Sequence, residues 1–297
     1  MRAFSAAVAA VLLLLLPVPS TVEAAVQCRV HHFPVTAGGP QRVFAEFCRP
    51  ARLAGAPVQL LLHGATYDHT YWSAYARLAA ARGFATLNLD RLGYGRSDHP
   101  DPATVDLPAA GQVAQQVVDG LRAGAFGPRF GRVVLNGHSL GGLVAYDTAR
   151  RGGVDGLIIS GMPATPRASA RAAFPPFHPA EQDPKFAGRG WPPGYLTTLP
   201  GTRVETFHYP GTYGPLVPRL EEGRLKDTVP EPELLALGTP PVPADLPTLS
   251  VLGSHDQFYP EPGGELVIPD AGHSINFSHG ASRFYALTFA WLAGLPR

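Results

Sequence analysis

One serine of this chain lies in a setting that favours nucleophilic chemistry. Ser139 is the centre of Gly137-His138-Ser139-Leu140-Gly141, with an apolar run before it (132–136) and another after it (143–146). This pattern predicts a strand, a sharp turn and a helix, with the serine hydroxyl projecting from the sheet edge at the turn. Glycines flank the serine because a side chain would clash in so tight a turn. From the motif alone, an ordinary strand-to-helix turn is the alternative, because small residues can flank a serine by chance in a chain with 33 glycines.

The elements that must position this serine alternate between strand and helix patterns. Two alternating segments, 29–35 and 41–49, predict a hairpin around Gly38-Gly39-Pro40. Further strands are predicted at 58–62, 84–89, 131–136, 154–160, 248–252 and 265–268, and helices at 71–82, 107–123, 140–151 and 282–292. This alternation predicts an α/β fold with a mostly parallel central sheet and helices on both faces.

The alternation stops between residues 161 and 247. This segment holds 18 of the 32 prolines and several aromatic residues. A structureless loop of this length is improbable in a compact domain, and the aromatic content argues against a disordered insertion, which is the alternative. We interpret the segment as an inserted cap over the mouth of the sheet, with short helices at 216–226 and 232–237. Residues 25–160 and 248–297 are then the core.

The first 24 residues are typical of an export signal. Arg2 supplies a positive start, an apolar stretch follows at 6–16, and Val22-Glu23-Ala24 offers small residues for cleavage. A helix needs about 20 residues to span a bilayer, and the apolar stretch is shorter than that. No other apolar run in the sequence is long enough to cross a membrane. An uncleaved anchor is the alternative. The pattern predicts a secreted or extracytoplasmic protein with no stable membrane span.

The two cysteines lie in the two segments of the predicted hairpin. Export implies an oxidising compartment, so we expect a disulfide between Cys28 and Cys48. Two buried free thiols are the alternative. The cysteines lie far from any histidine cluster, so they do not predict a metal site.

The charge distribution argues against nucleic acid as a partner. The formal net charge is +1 and no cluster of lysine and arginine stands out, whereas phosphate contact needs a concentrated basic surface. No pattern implies a metal or an organic cofactor. The sequence does not predict an oligomeric state.

Four motifs, taken together, resemble those of the α/β-hydrolase superfamily. They are Leu61-Leu62-His63-Gly64-Ala65, the stretch Asp90-Arg91-Leu92-Gly93-Tyr94-Gly95-Arg96-Ser97-Asp98, the Ser139 motif, and the pair Gly253-Ser254-His255-Asp256 and Asp270-Ala271-Gly272-His273. The resemblance covers essentially everything after the export signal and is greatest to secreted, capped esterases and lipases. It implies a catalytic serine, acid and histidine in that chain order, which are Ser139, Asp256 and His273 here. His63 and His138 take structural positions.

The resemblance also implies where an oxyanion hole and a substrate site would lie. The backbone N–H groups of Leu140 and Ala65 would bind the oxyanion, although Thr66 or Tyr67 would replace Ala65 if the loop were shifted. Four aromatic residues are expected to line the substrate site: Tyr67, Trp72, Phe177 and Trp191. For Trp72, packing of the first predicted helix is the alternative.

The resemblance implies that the partner is a small-molecule carboxylic ester, which is hydrolysed through an acyl-enzyme. The aromatic residues of the cap favour a substrate with a hydrophobic moiety. In the branches of the superfamily that open epoxides or remove halogens, an aspartate replaces the serine. The same residues would also suit a thioesterase, amidase, peptidase or C–C hydrolase. A hydroxynitrile-lyase-like enzyme is expected to carry a lysine near the base, and the only lysines are Lys185 and Lys226. A non-catalytic relative would have lost a catalytic residue.

Overall fold

The computed structural model describes residues 26–53, 55–164, 174–235 and 244–295. The predicted export signal therefore lies outside the described residues. Eight strands form the main sheet: β1 (Gln27–Thr36), β2 (Pro40–Arg49), β3 (Val58–Leu62), β4 (Ala85–Leu89), β5 (Val133–His138), β6 (Gly156–Ser160), β10 (Thr248–Gly253) and β11 (Leu266–Ile268). Their order across the sheet is β1-β2-β4-β3-β5-β6-β10-β11.

The central strands of this sheet are parallel and buried on both faces. The β1–β2 hairpin joins β4 in antiparallel pairing, and all other neighbouring strands pair in parallel. Every residue of β3, β4, β5 and β6 is buried, as expected for apolar strands covered by helices on both sides. The predicted α/β fold is confirmed.

Helices cover the two faces of the sheet. They are α1 (Ser73–Ala81), α2 (Leu107–Ala123), α3 (Leu140–Ala149), α4 (Arg203–Phe207), α5 (Val217–Leu220), α6 (Glu231–Leu234) and α7 (Ala281–Gly294), with 3₁₀ helices at His69–Trp72, Pro102–Thr104, Ala180–Gln182 and Ile275–Phe277. Successive strand residues point to opposite faces. Leu60 therefore packs with α2 and α3, and Leu61 packs with α1 and α7. Among the described residues, no helix is both long and apolar enough to cross a bilayer.

Helix α2 shows why the sequence prediction of 107–123 matches the structure. The side chain of Asp106 caps its start by accepting a hydrogen bond of 2.9 Å from the N–H of Ala109. Its buried stripe includes Val113, Val117 and Leu121, which recur every fourth residue. Gly124 ends the helix in the left-handed conformation, with φ of 84°.

The segment between β6 and β10, residues 161–247, carries its own small sheet. It is antiparallel and consists of β7 (Phe177–Pro179), β8 (Tyr195–Thr198) and β9 (Val229–Pro230). The helix predicted at 216–226 is α5 followed by a π-helical turn at Glu221–Leu225. The helix predicted at 232–237 overlaps the short α6, and its last two residues lie outside the described residues. Sequence patterns did not predict the small sheet, because strands of two to four residues are too short to show alternation.

A disulfide joins the outermost strand to its neighbour. Cys28 and Cys48 are directly opposite in the hairpin, with their Cα atoms 4.1 Å apart. This pairing is the one that the export signal and the hairpin predict.

We expect protein isolated without reductant to contain no free thiol. The bond spans a sequence separation of 20 residues, so reduction should lower the free energy of unfolding by about 3 kcal/mol through the entropy of the unfolded chain. Alkylation followed by mass spectrometry and urea unfolding with and without reductant measure the two effects. The double variant Cys28→Ser/Cys48→Ser should unfold like the reduced protein, and two thiols alkylated before reduction would contradict the expectation.

Candidate active site

Ser139 lies between β5 and α3 in a strained backbone conformation. Its φ is 52° and its ψ is −123°, a region that residues other than glycine rarely adopt. Two backbone hydrogen bonds hold it there. The N–H of Ser139 donates to the carbonyl of Ser160 at 2.8 Å, and its carbonyl accepts from the N–H of Gly142 at 2.7 Å. The side chain remains partly exposed, so a substrate can reach a hydroxyl whose backbone is fixed.

Two glycines make this turn possible by allowing close approach of the backbone. A Cβ on Gly141 would lie 2.3 Å from the carbonyl oxygen of Leu62 and 2.4 Å from that of His63, and a Cβ on Gly137 would lie 2.5 Å from the carbonyl oxygen of Gly141. Side chains essentially never come within 3.0 Å of such atoms. Space, and not a positive φ, therefore requires glycine at both positions.

Gly141→Ala is expected to lower the free energy of unfolding by about 1–3 kcal/mol, because the new methyl group must push the backbone of α3 away from β3. Chemical denaturation measures this change. Gly294→Ala is the matched control, since Gly294 also lies in a helix and has nothing within 4 Å of the position of its Cβ. Equal stability of the two variants would contradict the steric explanation.

His273 bridges Ser139 and Asp256. The His273 Nε2 lies 2.9 Å from the Ser139 Oγ, and its Nδ1 lies 3.1 and 3.0 Å from the two carboxylate oxygens of Asp256. Asp256 and His273 are buried and follow β10 and β11, so parallel pairing brings them to the same sheet edge as Ser139. A carboxylate facing Nδ1 keeps the proton on that nitrogen. Nε2 is then free to take the proton of the serine hydroxyl.

The other two carboxylates close to motif ends face elsewhere. The side chain of Asp270 is 68% exposed and lies 3.9 Å from the guanidinium of Arg283. Asp90 is buried and accepts hydrogen bonds from the N–H and Nδ1 of His69 and from the N–H of Arg96. Of these three carboxylates, Asp256 is the one that contacts His273.

The two histidines that the resemblance assigns to structural positions, His63 and His138, make hydrogen-bond and stacking contacts within the core. His63 Nε2 accepts from the N–H of Arg91 at 3.1 Å, so its proton is on Nδ1 and is donated to the carbonyl of Gly64 at 2.9 Å. Burial and the charge of Arg91 lower the pKa of His63 well below its usual range. The ring of His138 stacks on Tyr71, with centroids 4.5 Å apart. Burial and the neighbouring His273 lower its pKa as well, so both histidines are neutral.

The two backbone groups predicted to bind an oxyanion belong to segments that lie next to Ser139. Leu140 is the first residue of α3, so its N–H has no partner within the helix. Ala65 follows β3, in a loop that passes beside the serine: a Cβ on Gly64 would lie 3.1 Å from the Ser139 Cβ. Thr66, the next residue, is buried and has a φ of 55°. The arrangement can therefore hold a nucleophile, a base and an anion site together.

The sequence from residue 59 to 287, more than half of the chain, matches the model of the alpha/beta hydrolase family. The chain belongs to this family. No curated protein matches the sequence of this hydrolase significantly.

Solved structures of other hydrolases share its fold at low sequence identity. An esterase from Thermogutta terrifontis is 20% identical with a TM-score of 0.60, over 89% of this chain and 99% of that chain. The N-acyl homoserine lactonase AidH is 17% identical with a TM-score of 0.59, over 91% and 98%. Epoxide hydrolase A from Mycobacterium thermoresistibile is 16% identical with a TM-score of 0.58, over 90% and 99%. At such identities the likeness shows the fold alone.

Two of the four aromatic residues predicted to line the substrate site of the hydrolase have almost no solvent access. Trp72 is completely buried against Tyr75 and Phe284, between α1 and α7. The structure therefore corrects the prediction for Trp72, whose side chain belongs to the core. Tyr67 is 1% exposed, and its hydroxyl is hydrogen-bonded to Glu221 and Ser274. Its ring lies against the rings of Tyr71 and Phe207 and does not face solvent.

The other two aromatic residues lie in the 161–247 segment and are partly exposed. Phe177 is the first residue of β7 and pairs with Thr198 of β8. Trp191 stacks on His99 with ring centroids 3.9 Å apart, and with Phe186 it lines a cavity of about 260 Å³. None of these ring neighbours is a catalytic candidate, so the contacts do not bring Trp191 together with Ser139.

Two aromatic residues that the sequence did not assign to the site lie beside the imidazole of His273. The ring of Phe258 lies 4.3 Å from it and that of Phe207 lies 6.1 Å from it, measured between centroids. The N–H of Phe258 also donates to the Asp256 Oδ1 at 3.0 Å. Phe258 follows Asp256 by two residues, and this proximity is the only sequence signal for its role. The imidazole therefore lies among apolar groups that limit access of water to it.

Proposed function

We propose that this hydrolase cleaves carboxylic esters through an acyl-enzyme. Ser139 is the nucleophile, His273 the general base, and Asp256 the carboxylate that orients it. The observation that carries the proposal is the unbroken hydrogen-bonded chain from the Ser139 Oγ through His273 to Asp256. A serine hydroxyl is a weak nucleophile unless a base within hydrogen-bond distance can remove its proton, and this chain supplies that base.

Each step of the reaction uses a contact described above. The Ser139 Oγ attacks the ester carbonyl while its proton passes to His273 Nε2, and Asp256 stabilises the imidazolium that forms. The N–H groups of Leu140 and Ala65 stabilise the tetrahedral oxyanion. His273 then gives the proton to the leaving alcohol. Water, deprotonated by the same nitrogen, attacks the acyl-enzyme. When the second tetrahedral intermediate collapses, Nε2 returns that proton to the leaving Ser139 Oγ, which releases the acid and restores the free serine.

The 161–247 segment serves in this proposal as a cap over the site. Its helix α4 ends at Phe207, whose ring lies near His273 and whose carbonyl accepts from the N–H of Ser274 at 2.9 Å. Phe207 and Phe258 present apolar surface next to the base. These contacts support a substrate with a hydrophobic acyl or alcohol moiety.

We also propose that the protein is exported. The Cys28–Cys48 disulfide fits an oxidising compartment, and the proposal itself rests on the signal pattern of residues 1–24. A small-molecule ester, and not nucleic acid, is the proposed partner.

The alternatives differ in the bond that is cleaved. Thioesters, amides and C–C bonds next to a carbonyl could be attacked by the same serine, and a lactone is a cyclic ester that the same steps would open.

A hydroxynitrile-lyase-like reaction would need a lysine near the base, and both lysines are engaged by groups of the 161–247 segment. Lys226 Nζ is paired with Asp183 at 2.7 Å, and Lys185 Nζ donates to the carbonyls of Gly223 and Lys226. An epoxide hydrolase of this superfamily would carry aspartate in place of Ser139.

A substrate panel with an active-site label tests the proposal. The purified mature protein is assayed on p-nitrophenyl esters of graded chain length, beside thioester, anilide, lactone and epoxide substrates. We expect ester turnover that stops when one equivalent of a fluorophosphonate has bound, with the label mapped to Ser139 by peptide mass spectrometry. Turnover of epoxides that the label leaves intact, or label on another residue, would refute the assignment.

A further inference from the structure

A buried cluster of charged side chains lies where the 161–247 segment meets the candidate site. Glu221 and Arg203 are 0% exposed and His208 is 1% exposed. The Glu221 Oε2 accepts from the Arg203 Nε at 3.0 Å, and its Oε1 accepts from the His208 Nε2 at 2.7 Å. The proposed reaction uses none of these three residues, and burying charges is costly unless they are paired.

One side of this cluster holds the loop that carries the oxyanion-binding group. The Arg203 Nη1 donates to the Thr66 Oγ1 at 2.7 Å, and the guanidinium lies 4.6 Å from the centre of the Tyr67 ring. Thr66 directly follows Ala65 and has a φ of 55°. A residue in this region persists only when its surroundings hold it there. Arg203 is part of what holds Thr66, and with it the direction of the neighbouring Ala65 N–H.

The other side of the cluster holds the loop that carries the base. The Tyr67 hydroxyl donates to the Glu221 Oε1 at 2.8 Å, and the Ser274 Oγ lies 2.7 Å from the Tyr67 oxygen. A phenol has one proton. Because that proton points to Glu221, the Ser274 hydroxyl donates to Tyr67. Two hydrogen bonds therefore connect Glu221 to the side chain of Ser274, which is the residue after His273.

The electrostatics of the cluster favour a charged Glu221. Burial alone would raise the pKa of this carboxyl, but the Arg203 charge and the hydrogen bonds from His208 and Tyr67 outweigh burial and place the pKa below its ordinary value. The carboxylate is therefore ionised at neutral pH. Hydrogen bonds to an ionised acceptor are stronger than those between neutral groups, so the links through Tyr67 and Arg203 are well suited to fix geometry.

We propose that Glu221, acting through Tyr67 and Arg203, is a positioning residue that sets the spacing between the Ala65 loop and the His273 loop. The inference rests on the proposed function and deepens it. It assigns to the 161–247 segment a part in the chemical step, since the oxyanion site and the base must both be aligned on Ser139 in the transition state. The Glu221 carboxylate itself touches no reacting atom.

The experiment removes single hydroxyl groups, because a variant of Glu221 that leaves Arg203 unpaired is at risk of not folding. Tyr67→Phe and Ser274→Ala each delete one link, and the double variant deletes both. We expect each single variant to lower kcat on a short acetate ester by about tenfold, with KM nearly unchanged. The melting temperature should fall by about 2–4 °C, because the lost hydrogen bond is buried. The double variant should be no slower than the slower single variant, because both break the same connection.

Asp183→Asn is the matched control. Asp183 is buried in the same segment. In the part of the chain that the structure describes, its carboxylate bonds to Lys226, His178 and the N–H of Lys185, and not to the three residues that carry the links. This variant should lower the melting temperature and leave kcat unchanged, which separates loss of stability from loss of positioning.

Folded Tyr67→Phe and Ser274→Ala proteins with kcat within twofold of the wild type would overturn the inference, as would effects that multiply in the double variant. A wild type that neither turns over esters nor reacts with fluorophosphonate would instead refute the proposed function and this inference together.

Discussion

Ser139→Ala is expected to lower kcat for ester hydrolysis by on the order of 10⁶-fold, the loss measured for the nucleophile of a serine protease. The substitution removes the only atom of this residue that can form the acyl-enzyme. The backbone hydrogen bonds of residue 139 to Ser160 and Gly142 remain, so the fold should be retained. Residual activity above the uncatalysed rate would come from the N–H groups of Leu140 and Ala65.

The loss is measured as kcat on a p-nitrophenyl ester, with circular dichroism to establish that the variant is folded. Ser73→Ala serves as a control, because Ser73 is a partly buried serine at the start of α1 that bonds to the carbonyl of His69. The control should keep both its activity and its fluorophosphonate label. A label that survives in Ser139→Ala would show that another residue is the nucleophile.

Asp256→Asn is expected to lower kcat by on the order of 10⁴-fold, whereas Asp270→Asn should have a far smaller effect. The Asp256 carboxylate lies 3.0 Å from His273 Nδ1, so it selects the tautomer with a free Nε2 and stabilises the imidazolium. An asparagine amide in its place can donate to Nδ1 and favour the wrong tautomer. Asp270 is mostly exposed beside Arg283 and has no such contact.

Both variants should be compared at saturating substrate and at several pH values, with melting temperatures to establish folding. Asp270→Asn is the matched control, since it changes the same functional group three residues from His273 in the sequence. The reverse ranking of the two kcat values on folded proteins would identify Asp270 as the acid.

The sequence could predict that the three catalytic candidates lie close together, because each of them follows the end of a strand. Parallel pairing brings these ends to one edge of the sheet, so the order of motifs along the chain suffices to bring Ser139, Asp256 and His273 together. The apolar runs predict the strands for the same reason: a strand buried on both faces has few polar positions.

The sequence does not predict the contacts that depend on the 161–247 segment. Arg203 and Glu221 lie on a helix of one turn and a π-helical turn, which have no periodicity to read, and charged residues are rarely buried. Trp72 shows a different limit. It follows Tyr71 at the end of a 3₁₀ helix, and only the packing of α1 against α7 determines that its ring turns inward.

The pairing of β6 with β10 has a consequence for the integrity of the molecule. The two strands are neighbours from Leu157 opposite Thr248 to Ser160 opposite Val251, although a long stretch of chain separates them in sequence. The proposed nucleophile, Ser139, belongs to the polypeptide before this stretch, and the proposed acid and base, Asp256 and His273, belong to the polypeptide after it. A protease that cuts between the two strands would break a covalent link and leave the sheet hydrogen bonds in place. The candidate active site would then be shared by two fragments that the sheet itself holds in register.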